Sequence, residues 1–236
     1  MVEIAFYLSK IVGYSFDARR CIQGTSHFCR YNRSIPKPGL PNGRLSYTGD
    51  KELAIRIKSS WHDEDSERSP QEVGGALAFI AWRIALDKAI TLHGENFVYE
   101  SDRQRLAVIA EYLAFAVQIV DRIIHDMTEN DFRVALITAL VMKLADHYAD
   151  NSVDLLGPGD HKNSFINLCN ERSSDYAEFN FTDEGPSYPF MRHLGFEIQQ
   201  IMGTEHENRW VIDQVMDADG PEVYKQLARA VRNLLD

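Results

Sequence analysis

Carboxylates and imidazoles spaced for metal chemistry occur in two places in this sequence. The first is "IIHDMTEND" at 123–131, where His125 and Asp126 stand side by side behind a run of aliphatic residues. An adjacent imidazole and carboxylate can form half of a divalent-metal site. The second is Lys143, His147, Asp150 and Asp154, spaced i, i+4, i+7 and i+11 with Asp146 beside them, one continuous face of a helix. Glu111 and His93 belong to other segments that a helical hairpin would bring to that face. Carboxylates and imidazoles projecting between helices are the raw material of a bundle metal centre.

Over its four residues, "IIHD" resembles the sequence around the metal pair of HD-superfamily phosphohydrolases. The resemblance implies an upstream His and a downstream Asp converging on the same metal. His93 is the upstream candidate, and Asp146 or Asp150 the downstream one.

Whether these groups can meet depends on the elements that carry them. "SPQE" at 69–72 signals a helix start: Ser69 as cap, Pro70 in the first position, and Glu72 where a capping box wants an acid. This helix runs to Gly94, and Gly74 and Gly75 within it mark a close approach between helices. Ser101 opens a second helix with an apolar stripe from Leu106 to Ile124. Thr128 with Asp131 caps a third, whose centre "RVALITALVMKLA" is apolar nearly all round, which predicts the middle of the bundle. Gly157, Pro158 and Gly159 end it, and Asp160 caps a fourth with Phe165, Leu168, Cys169 and Tyr176 inward. An aromatic, proline-containing loop follows. Its Phe179, Phe181 and Tyr188 are candidates for contact with a partner, although with Phe190 they can equally plug the bundle. Two further helices complete the chain, the last with Val223, Leu227, Val231 and Leu234 on one side.

Before Ser69 the pattern changes. Residues 2–12 form an amphipathic helix with Ile4, Leu8, Ile11 and Val12 on one face, suited to docking on this chain or on a second copy. Pro36, Pro38, Pro41 and Asn42-Gly43 make an irregular arm. Residues 50–61 read as a helix, or as a strand from the alternation of Leu53, Ile55 and Ile57. The predicted architecture is an all-α bundle of about six or seven helices over 69–236, with an irregular N-terminal arm over 1–68 packed on it.

Composition narrows the function classes. The chain has 236 residues, 44% hydrophobic and 25% charged, with a net charge of -10. That balance argues against nucleic acid, because phosphate contacts need clustered Lys and Arg. Cys21, Cys29 and Cys169 form no CxxC pair, which suits a reducing compartment and a cytoplasmic location. Cys21, His27 and Cys29 lack a fourth zinc ligand at a familiar spacing. No apolar run is long enough for a transmembrane segment, and no signal peptide is evident.

Hairpin geometry then tests the His125–Asp126 pair. Short connections make the three central helices antiparallel in turn, so His93 and His125 lie at opposite ends, on the order of 35 Å apart at about 1.5 Å per residue. By the same rise Asp146 is roughly 20 Å from His125. The pair therefore reads as the solvated last turn of a helix. Counting about Thr128 instead gathers Glu111, Lys143, Asp146, His147, Asp150 and His93 at the other end. That cluster is either a metal site or an ordinary polar helix end, and the second is the commoner arrangement. No substrate or cofactor can be named. The expected function is a protein-binding or regulatory module capable of self-association; the alternative is a metal-dependent hydrolase using Glu111, Asp146, His147 and Asp150.

Overall fold

A computed structural model of the chain describes residues 68–95 and 97–235. The expected helix carrying Ile4, Leu8 and Ile11, the proline arm, the segment at 50–61 and the Cys21–His27–Cys29 group lie outside the described residues.

Among the described residues, six helices longer than ten residues form an all-α bundle: α1 (Pro70–Gly94), α2 (Asp102–Ile124), α3 (Asn130–Leu156), α4 (His161–Ala177), α5 (Tyr188–Met202) and α6 (Gly220–Leu235). The strand pairing among the described residues is a two-residue hairpin, β1 (Phe181–Thr182) with β2 (Gly185–Pro186). From α5 the chain passes through a 3-10 turn (His206–Trp210), one α-helical turn (Val211–Gln214) and a π-helical turn (Val215–Asp219) into α6. No described helix is long and apolar enough to cross a membrane.

Local side-chain caps set the starts of α1 and α2. Ser69 Oγ accepts from the Glu72 N–H at 3.3 Å while the Glu72 carboxylate accepts from the Ser69 N–H at 3.1 Å, completing the capping box. Ser101 caps α2 by accepting from the Gln104 N–H. The third start differs from expectation. The capping position of α3 is Glu129, with no side-chain cap, and Thr128 Oγ1 donates back to the Ile124 carbonyl at the end of α2. The turn is held instead by Arg133, which grips both oxygens of Asp121 at 2.8 and 2.7 Å and pins α3 antiparallel to α2.

α1 and α3 run parallel, with Gly74 against Leu136–Leu140 and Trp82 against His147 at 6.0 Å between ring centroids. A Cβ on Gly74 would lie 2.9 Å from both the Ala139 Cβ and the Leu136 carbonyl oxygen, so the absent side chain is what permits the approach. Gly75 has nothing within 4 Å of such a position. Close approach was foreseen for both glycines and holds for one.

The middle of the bundle is α2, not α3. Every residue from Val108 to Val120 is buried, whereas α3 buries Leu136, Leu140, Leu144, Ala145 and Ser152 and leaves Val134, Met142 and Val153 exposed. Apolar periodicity misjudged this because Glu111 and Gln118 made α2 look amphipathic. Both are buried with partners, Arg172 and Ser173, so they are admitted to the interior.

The aromatic loop closes one side of this core. Tyr176, Phe190 and Phe115 stack with centroids 4.4 and 5.7 Å apart, and Phe179 and Phe181 fold onto them, while Tyr188 is 68% exposed. At the other end, Asn208 accepts from the Val98 N–H at 2.9 Å. It also donates to the Val98 and Met202 carbonyls at 3.0 Å, tying the α1–α2 connection to the 3-10 turn.

The contrast between the two glycines is measurable. Gly74→Ala should destabilise, because overpacking costs about 1–3 kcal/mol against a helix-propensity gain of about 1 kcal/mol. Gly75→Ala keeps the gain alone and should raise the melting temperature. Thermal unfolding followed by circular dichroism separates the two.

Candidate functional site

The residues singled out by spacing do not share one cavity. His93 is exposed and stacks on Tyr99 at 6.4 Å. Asp146 accepts from Lys162 of α4 at 2.6 Å on the surface. His147 is half-buried beside Trp82, its pKa lowered by burial and by the nearby Lys143 ammonium. Asp150 is exposed. Glu111 lies on the far side of α2, inside the bundle, where Arg172 holds it. Among the described residues no group of three or more His, Cys, Asp or Glu side chains is placed to hold a metal ion.

What the fold does gather is a polar cluster around Arg172, between α2, α4 and α5. The guanidinium donates from Nε to Glu111 Oε2 at 2.9 Å and from Nη2 to Glu111 Oε1 at 2.8 Å. Nη2 also reaches Glu197 at 2.6 Å, and Nη1 reaches Asp175 at 3.1 Å. His193 lies 3.5 Å from Asp175 and 3.9 Å from Glu197, and its buried Nε2 makes no hydrogen bond. Burial raises the Glu111 pKa, an effect the Arg172 bonds only partly offset. Burial opposes the charge on Arg172 as well, but Glu111 and Glu197 more than compensate and raise its pKa. Cys169 beside this cluster is pushed up to about 12 by burial, so it is a packed thiol and not a nucleophile.

A second cluster lies on the other side of α2. Tyr112 donates to Asp219 Oδ2 at 2.7 Å, and the Lys88 ammonium is 3.7 Å from Asp219 Oδ1 while also meeting Glu222. Burial raises both the Asp219 and the Tyr112 pKa. Asp219 ends the π turn, a kind of irregularity found more often at functional sites than elsewhere. Here it delivers a carboxylate to a buried lysine and so joins α1, α2 and α6.

An open cavity of about 630 Å³ lies at the end of the bundle where α2 and α6 finish. Its lining includes Gln118, Arg122, Ser173, Thr182, Tyr224 and Arg232, with His125 and Asp126 also contributing. His125 Nδ1 pairs with Asp126 at 2.7 Å on the exposed rim. The dipeptide read as a solvated helix end is that, and it also borders a cavity.

Sequence reasoning passed over Arg172, although its position carries a signal. It lies seven residues after Phe165, three after Cys169 and four before Tyr176, on the buried stripe of α4. A charge on such a stripe requires a buried counter-charge, and Glu111 on the most buried helix supplies it. The chain matches no protein-family model, no curated protein and no solved structure.

Arg172→Met leaves the buried Glu111 carboxyl without its partner, and should cost about 3–5 kcal/mol in urea unfolding. Adding Glu111→Gln should recover part of that loss. Because the Glu111 pKa is raised by folding, its contribution is fully present below the ordinary Glu value of about 4.3 and declines as pH rises through the folded value. Glu111→Gln alone should therefore flatten the fall in stability above that pH relative to wild type.

Proposed function

We propose that this chain is a protein-binding helical module that associates with a second copy of itself through the outer side of the α1–α3 pair. The observation that carries this reading is the exposure of Ile90, Met142 and Val153, at 43%, 43% and 44%. From Val73 to Leu86, α1 carries Arg83 as its one charge. Its inner side uses Leu77, Ala78, Ala81, Ile84 and Ala85. Phe79, Trp82, Leu86 and Ile90, at steps of three and four, face away from α2 half-exposed or exposed. Thr138, Met142, Ala149 and Val153 continue this side on α3, because the two helices lie parallel and in contact.

A helix that is apolar all round is normally covered all round. A second copy suits the cover because the strip carries both signs of charge: Arg83, Asp87 and Asp150 are exposed beside it, and the Asp146–Lys162 pair lies between Met142 and Ala149. A two-fold contact turns such a face onto itself, so that Arg83 of one copy can meet Asp87 or Asp150 of the other. The Arg172 and Lys88 clusters add rigidity to the bundle presenting this face and expose no reactive group.

Sedimentation velocity on the full chain tests the reading. Wild type should show a concentration-dependent dimer, and the Ile90→Lys, Met142→Lys double variant should be monomeric with little change in melting temperature. A wild type that stays monomeric at every concentration, or a double variant that dimerises as tightly, overturns it.

A further inference from the structure

The cavity at the C-terminal ends of α2 and α6 is independent of the α1–α3 face, and its lining has a bias that no residue spacing revealed. Both oxygens of Asp121 are occupied by Arg133, so this pair contributes no net charge to the lining. Asp126 is 90% exposed at its side chain and Asp183 is exposed, so solvent screens both. Helix C-terminal carbonyls would ordinarily make such an end negative. Here one carbonyl on each of three helices is taken. The Ile124 carbonyl accepts from the N–H groups of Met127 and Thr128 and from Thr128 Oγ1. The Tyr176 carbonyl accepts from Phe179 N–H and from Arg122 Nη2 at 3.0 Å. The Leu234 carbonyl accepts from Arg68.

Donors are left over. Arg122 is half-buried, forms no ion pair among the described residues, and uses one N–H on a neutral carbonyl that fixes the direction of its guanidinium. Ser173 Oγ already accepts from Gln118 Nε2 at 2.7 Å, which leaves its O–H to donate. Arg232 is exposed at the rim, also without an ion pair among the described residues, so solvent screens it as it does Asp126 and Asp183 and it acts on an anion by direct contact only. One wall is apolar. Tyr224 meets Phe181 edge to face at 5.9 Å, and the turn at Gly185 holds the Tyr224 ring where any Cβ would strike it at 2.7 Å.

We propose that this cavity is a binding site for a small organic anion, its carboxylate or phosphate held by Arg122, Arg232 and Ser173 and its body lying against Tyr224 and Phe181. A guanidinium fork accepts either oxyanion, and the volume of about 630 Å³ suits a ligand of metabolite size. The chemistry is binding only, since no activated nucleophile lines the space.

Calorimetric titration of the full chain with phenyl phosphate, benzoate, inorganic phosphate and benzylamine tests this. At least one of the two aromatic anions should bind saturably, more tightly than inorganic phosphate, and benzylamine should not bind. Preference for phenyl phosphate assigns a phosphate ester as the ligand, and preference for benzoate a carboxylate. Arg232→Gln, an exposed change that leaves folding intact, and Arg122→Gln should each weaken binding at least tenfold. Melting temperatures check that each variant is folded. Absence of binding by both aromatic anions, binding of benzylamine in their place, or equal affinity in Arg232→Gln and wild type overturns the proposal.

Discussion

A carboxylate in the centre of the most buried helix constrains much of this bundle. Glu111 lies within the unbroken buried run from Val108 to Val120, and an isolated charge there would cost several kcal/mol. The bidentate geometry of Arg172 satisfies both carboxylate oxygens at once, which a lysine, as a point charge, does not match. Matching that fork fixes the height and rotation of α4 against α2. Cys169 and Tyr176, on the same stripe of α4, are carried into the core with it. The guanidinium's remaining capacity goes to Glu197 and Asp175, which brings α5 into the same register. The aromatic stack of Phe115, Tyr176 and Phe190 then joins those same three helices.

The next residue along α2 performs the matching task on another side. Tyr112 points to Asp219, and Asp219 faces Lys88, so α1, α2 and α6 share a second polar tie. Consecutive residues on a helix project about 100° apart. Glu111 and Tyr112 therefore address different neighbours from nearly the same level. Each tie is specific because a one-residue shift of any partner would leave a buried polar group without its bond.

These two ties explain which parts of the architecture the sequence disclosed. Ser69, Glu72 and Ser101 act locally, through bonds to N–H groups three residues away, and their caps are where their types predict. Antiparallel neighbours follow from short connections, and the Arg133–Asp121 clip agrees with that reading although Thr128 does not cap α3. Burial was less legible. Pattern counting treats Glu111 and Gln118 as surface residues, because nothing near them in sequence reveals partners 61 and 55 residues away. It also treats Val134 and Met142 as core, because it sees their type and not the number of helices around them. The expected gathering of Glu111 with Asp146 and His147 fails for the same reason. Hairpin arithmetic gives height along the bundle, while the direction of a side chain around its helix depends on where the other helices lie.

The bias at the cavity belongs to that second, long-range kind of information. Counted from the sequence, three arginines against three aspartates at this end amount to nothing, and the whole chain is acidic at -10. Position changes the sum. Asp121 is consumed by Arg133, while Asp126 and Asp183 face water, where a screening length of about 8 Å at physiological salt weakens them. Arg122 stays half-buried, in surroundings where its field is less diluted. Arg68, Arg122 and Thr128 occupy carbonyls that would otherwise oppose an anion, so the same bonds that finish α2, α4 and α6 also set the sign of the space between them.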